Sequence, residues 1–239
     1  MRAALIFVFW LLAAPAGAQE ITLSLGDGDS LAGRTMLTIA LLTVLSLAPG
    51  IAIMVTCFPF IVTVLSILRQ AIGLQQSPPN MLIVSLAMFL TWFVMEPVFT
   101  EAWAVAAAPL IEGEIDIPTA FGLGAAPFRT FMAARIDADT FTSLLSLRPE
   151  PRVEGAIGDA PLSVLVPSFM LSEVSRAFEI GFLLYLPFLI IDLVVSAVLM
   201  SMGMMMVPPA IVALPFKLAF FVVADGWTLV SGALVRSYF

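Results

Sequence analysis

From Met36 to Leu68 the chain carries no charged residue, and three further stretches are nearly as bare: Met81 to Phe99, Ile180 to Met206 and Ala210 to Val235. Apolar runs of this length are helices that need an apolar cover, because a bilayer core takes about 20 residues of helix. The whole composition agrees, with 61% hydrophobic residues, 11% charged and a mean hydropathy of +1.09. A soluble domain of this size could not hide so much apolar surface, whereas lipid or neighbouring subunits could. The expected fold is therefore all-α: four apolar segments arranged as membrane-associated helical hairpins.

The breaks between segments are legible. Met36 to Leu68 is too long for one helix, and Ala48-Pro49-Gly50 is the expected kink, since proline removes a donor and clashes with the preceding turn. Gly73-Leu-Gln-Gln-Ser-Pro78-Pro79 and Gly203-Met-Met-Met-Val-Pro208-Pro209 share one pattern: glycine, four residues, two prolines. Glycine suits the end of one helix and proline the start of the next, so both read as hairpin tips. Residues 36–99 form a first hairpin and 176–239 a second. Between them, 100–175 hold most of the acids, and Phe128, Phe131, Met132 and Ile136 have the spacing of an amphipathic helix, which predicts a helical periplasmic insertion. Phe128 and Phe131 are assigned to its core or to an oligomer contact.

At the start, Arg2, the apolar stretch Ala3 to Ala13, Pro15 and Ala16-Gly17-Ala18 make a secretory signal peptide over residues 1–18, with cleavage leaving 19–35 as an extracytoplasmic segment. That topology puts the insertion outside and both tips toward the cytoplasm, in line with the excess of Asp and Glu over Lys and Arg in the insertion.

Charge and chemistry exclude several classes. A net charge of −7 with ten scattered basic residues offers no cationic stripe to nucleic acid. The absence of histidine and the single Cys57 remove the usual groups for zinc, haem and Ser-His or Cys-His catalysis. No phosphate-cradling glycine loop of the P-loop type is present. The chain is read as not an enzyme, with no cofactor and no metal.

The remaining charges stand out because they interrupt apolar helices. Asp192 and Lys217 flank the second tip at roughly 15 Å and 9 Å from their helix ends, within reach of one another as a salt bridge. Glu173, Glu179 and Asp225 are alternative partners for Lys217, and Glu173, Asp192, Lys217 and Asp225 are read as buried charges or subunit contacts. Glu173, Arg176 and Glu179 recur at spacing three, which lays them along one helix face, solvated or set against another subunit. Met204, Met205 and Met206 cannot form one helical stripe, because consecutive residues fan around the axis, so they belong in a loop. Such a loop either packs against a neighbouring helix or, with copies converging on an axis, makes a soft apolar constriction.

The stretches Leu68-Arg-Gln-Ala-Ile-Gly-Leu-Gln-Gln-Ser-Pro-Pro-Asn80, Ile190-Ile-Asp-Leu-Val-Val195, Met200-Ser-Met-Gly-Met-Met-Met-Val-Pro-Pro209, Leu214-Pro-Phe-Lys217 and Asp225-Gly-Trp227 resemble the signatures of the FliP family of type III secretion export-gate proteins, whose injectisome counterpart is SctR. The resemblance runs in order from about Pro49 onward. At Thr56-Cys-Phe-Pro-Phe60 the chain departs from the family, which usually has a basic residue at the place of Phe60. The resemblance implies a pore-forming subunit, a homo-pentamer with FliQ and FliR, contacting other export-gate and basal-body proteins in the bacterial inner membrane and passing unfolded flagellar proteins. It implies that Met204, Met205 and Met206 form the pore gasket, and that the hairpins sit largely above the bilayer. Rival readings from the charges alone are a proton-coupled transporter, with carboxylates and a lysine inside apolar helices, and an intramembrane aspartyl protease built on Asp192 and Asp225.

Overall fold

Prolines and glycines set where this chain turns, though not always where their positions suggest. In the computed structural model, which describes residues 31–74, 78–148, 156–204 and 206–239, the first helix α1 (Leu31–Met54) runs through Pro49 without ending. A proline inside a helix forfeits one N–H bond, and α1 tolerates that loss. The break expected at Ala48-Pro49-Gly50 falls instead at Val55–Cys57. There the Thr56 hydroxyl and N–H both turn back to the Ile53 carbonyl, and Pro59 fits the first turn of α2 (Phe58–Ile72), which has no use for its missing donor. The expected signal peptide over residues 1–18 lies outside the described residues, as does most of the 19–35 segment.

Past the first tip, α3 (Asn80–Ala102) continues through a π-helical turn at Trp103–Ala107 into α4 (Ala108–Glu112). The insertion consists of α5 (Ile117–Arg135), α6 (Ala138–Ser146) and a 3-10 turn at Ile157–Asp159. Then α7 (Leu162–Ser201) runs for 40 residues, followed by α8 (Pro209–Val223) and α9 (Gly226–Arg236). Among the described residues there is no strand. The boundaries expected at 99/100 and 175/176 both fall inside continuous helices: α3 carries Pro97 without ending, and a shift in composition does not by itself end α7.

Two helices, Asn80–Glu112 and Leu162–Ser201, are long and apolar enough to cross a membrane, and two bent pairs, Thr38–Met54 with Phe58–Ile72 and Pro209–Val223 with Gly226–Arg236, meet the same test as pairs. The four apolar segments of the sequence are thus four helical units.

Within Ala48–Phe239 the core is built around α2. Phe60, Ile61, Val64, Leu65, Leu68, Ala71 and Ile72 are all buried, with α3 on one side and α7 on the other. The approach of α2 to α7 depends on Gly181, whose added Cβ would stand 2.4 Å from Ile67 Cδ1. A second cluster joins the insertion to the start of α7: Met132, Leu165 and Phe169, with Phe128 and Phe131 partly buried around them. Phe128 meets Phe99 edge-on at 5.8 Å, and Phe131 meets Phe169 the same way at 5.8 Å. Both phenylalanines therefore pack within the chain.

Much apolar surface is left uncovered. Phe89, Trp92 and Phe93 on α3, and Phe178, Phe182, Ile190, Leu193 and Val194 on α7, are exposed. Apolar faces of this extent mark contact with lipid or other subunits.

Candidate functional site: a methionine tip braced by a buried lysine

The second tip is assembled by backbone chemistry. At the end of α7, Gly203 adopts φ 73°, its N–H donates to the Met200 carbonyl, and the Met204 N–H donates to the Leu199 carbonyl. These paired bonds are a Schellman motif, which satisfies carbonyls the helix end would orphan and requires a residue at ease with positive φ. Pro208 and Pro209 open α8 on the other side. Met204 and Met206 lie in the loop so formed, the latter 96% exposed. Met205 lies outside the described residues.

Beside the tip, Ile190, Val194, Val198, Met202, Met204 and Phe216 line an open groove of about 540 Å³ between α7 and α8, with no polar surface. Leu199 and Met204 border the same groove, the apolar contact that usually accompanies a Schellman end.

Lys217, midway along α8, is buried and reaches two partners. Its Nζ lies 2.6 Å from Asp192 Oδ2 on α7 and donates to the Ala71 carbonyl of α2 at 3.2 Å. Ala71 O belongs to the last turn of α2, where carbonyls lack helical partners and the helix dipole is negative, so an ammonium there is doubly favoured. Gly73 ends α2 at φ 89°, and a Cβ on it would stand 3.9 Å from Lys217 Nζ. One lysine thus ties the first hairpin's tip to both helices of the second. The first tip is closed separately by Arg69, which donates to the Pro78 carbonyl and to Asn80 Oδ1.

Of the other acids considered for Lys217, none is used. Asp225 is exposed at φ 47°, on the turn that separates α8 from α9, so it is not buried within the chain and keeps only the subunit contact of its two expected roles. Gly226 follows it because the Phe221 ring lies against that backbone: a Cβ there would come within 2.1 Å of the ring. Trp227 then meets Phe221 edge-on at 5.3 Å. Asp192 is paired with Lys217 and Asp225 is exposed, so the two are not a buried pair sharing a proton. Glu179 is exposed and Arg176 half-buried, so the face read from the three-residue spacing is partly solvated.

Glu173 departs from that face. It is fully buried, paired to Arg135 Nε at 3.0 Å and accepting a hydrogen bond from Tyr238. Arg135 and Tyr238 belong to no motif; the one signal for Arg135 is its place beside the apolar stripe of Phe128, Phe131, Met132 and Ile136. Phe60, the position of the departure, is buried with its ring 6.0 Å from the Arg135 guanidinium carbon.

Among the described residues no three His, Cys, Asp or Glu side chains gather as a metal site. The helices, the tip and its brace define a membrane-class helical protein whose buried polar groups hold elements together and whose long helices leave apolar faces exposed. The FliP family profile matches residues 41–234. The chain is 49% identical to the flagellar biosynthetic protein FliP of Caulobacter vibrioides, over 99% of this chain and 91% of that one. It is 47% identical to that of Agrobacterium fabrum over 98% of each, and 43% identical to that of Bacillus subtilis over 85% of this chain and 92% of the relative. The chain belongs to the FliP family.

Proposed function

We propose that the chain is a core subunit of the flagellar protein export gate in the bacterial inner membrane, and that copies of it, as a homo-pentamer with FliQ and FliR, surround a path for unfolded flagellar proteins. The observation that carries this reading is the methionine tip: side chains as apolar as Met204 and Met206 stand exposed on a hairpin whose two helices are joined by the Lys217–Asp192 ion pair.

Methionine has three rotatable side-chain bonds and a polarizable sulfur, so a ring of such tips packs closely without a fixed shape. Closed, the ring presents thioethers and methyls that cannot hydrate an ion, and dewetting blocks ion flow. When a chain enters, the same side chains change rotamer around it at little cost, while the Lys217 brace keeps the backbone of the tip in place. The uncovered faces of α3 and α7 supply the apolar area against which neighbouring subunits would pack. No step forms or breaks a covalent bond.

The test replaces Met204, Met205 and Met206 together with alanine and measures motility, export of flagellar proteins and ion leakage in the same cells. The expected result is an assembled complex that leaks. A tight membrane with normal export would reduce the tip to packing. A proton-coupled transporter, in contrast, would move solute when this chain alone is placed in liposomes.

A further inference from the structure

Glu173 lies within α7 with no exposure, where a carboxylate persists only if donors are brought to it. Both donors come from far along the chain. Arg135, the last residue of α5, supplies Nε at 3.0 Å, and the Tyr238 hydroxyl, two residues beyond α9, supplies the other. The same guanidinium donates through Nη1 to the Ser237 carbonyl at 2.7 Å, and its carbon stands 4.0 Å from the centre of the Tyr238 ring, in cation–π range. That ring stacks on Phe131 of α5 at 6.0 Å and meets Phe60 of α2 edge-on at 5.6 Å. Two residues therefore touch α2, α5 and α7 together, while Phe239 beside them is exposed.

We propose that Ser237–Tyr238 is a strap that closes over Glu173 and Arg135 and fastens the end of α5 to the hairpins, so that α5 and α9 open and close as one unit. With the strap open, Glu173 keeps a single donor, and Arg135, whose Nη2 already lacks a partner, loses the acceptor of Nη1 and the ring it rests on. The rest of α5 is held by other means: Arg129 donates to the Gly158 and Ala160 carbonyls, and Met132 is buried against Leu165 and Phe169. The strap thus governs the end of α5 beyond Met132. Burial, and after it the Glu173 charge, push the Tyr238 hydroxyl well above its ordinary pKa, so it remains a donor across the physiological range.

Hydrogen exchange of the full chain in detergent, read by mass spectrometry for wild type, Tyr238→Ala and Tyr238→Phe, tests this. Tyr238→Ala is expected to speed exchange tenfold or more in residues 133–136 and 226–236 together, leaving 61–68 unchanged. Tyr238→Phe, which keeps the ring, is expected to raise the same two segments by less. Faster exchange in 226–236 alone would mean a frayed helix end and overturn the strap, as would an equal rise everywhere. If Tyr238→Ala does not fold, Tyr238→Phe decides between the same outcomes.

Discussion

Lys217 Nζ and Asp192 Oδ2 stand 2.6 Å apart on the two helices that flank the methionine tip, with the lysine nearly buried and the aspartate side chain 31% exposed. The pair spans the hairpin, and the lysine's second bond, to the Ala71 carbonyl 146 positions away, spans the two hairpins.

Removing one member of such a pair leaves the other without compensation. Lys217→Ala is expected to cost about 3 kcal/mol, at the low end for a broken buried pair because Asp192 keeps partial access to solvent. Asp192→Asn should cost less, since an amide oxygen still accepts from the lysine. The exchange Asp192→Lys with Lys217→Asp should recover only part of the loss, because an aspartate at 217 cannot donate to Ala71. Thermal unfolding in detergent across these variants checks the order.

The tip itself should contribute little to stability. Met206 is 96% exposed, where truncation changes stability by about 0.5 kcal/mol or less, and Met204, 43% exposed, adds only the apolar contact beside Leu199 that accompanies the helix end. Alanine at Met204, Met205 and Met206 is therefore expected to leave the unfolding temperature of the isolated chain nearly unchanged while altering export and leakage. A large drop in unfolding temperature would show that the loop is packed, and would take the functional defect with it.

Gly226→Ala is expected to destabilise by about 1–3 kcal/mol, the range for forcing volume into a filled site, because its Cβ would overlap the Phe221 ring. Phe221→Leu in the same chain should relieve part of the cost. Additive losses from the two changes, measured as unfolding midpoints, would show that the ring is not what excludes a side chain there.

Acid should loosen the insertion at two helix starts. Asp116 caps α5 and Asp137 caps α6, each accepting from an N–H three residues on. The Thr119 hydroxyl and N–H hold the Asp116 carboxyl below the usual aspartate range, and the Thr140 N–H, then its hydroxyl, do the same for Asp137. A lowered folded pKa means the stabilisation is complete above the ordinary aspartate value of about 4 and is lost as pH falls through the lowered one. Unfolding of Asp116→Asn/Asp137→Asn is expected to depend less on pH below about 4 than wild type, since asparagine caps without titrating. An unchanged slope would place the acid sensitivity elsewhere.

Elements that rest on neighbouring residues could be read from the sequence. The four apolar segments follow from local composition, and the helix ends at Gly73 and Gly203 follow from the need for a residue tolerant of positive φ. The loop position of Met204 and Met206 follows from the 100° step of the helix. The break at Val55–Cys57 could not be read this way, because a helix can bear a proline, and where it finally turns depends on competing local bonds.

What the sequence determined by itself, then, is the helical membrane class, the two turn motifs and the short set of charges that need partners. Which partner each charge takes was decided by tertiary structure alone. Glu173 lies at spacing three from Arg176, yet pairs with Arg135 and Tyr238, and Lys217 completes its coordination with a backbone carbonyl that no side chain advertises. The physical reason is desolvation: inside an apolar fold a charge must take whatever donor or acceptor the packing brings within about 3 Å, and packing is fixed by the close approach of α2, α7 and α8, not by distance along the chain.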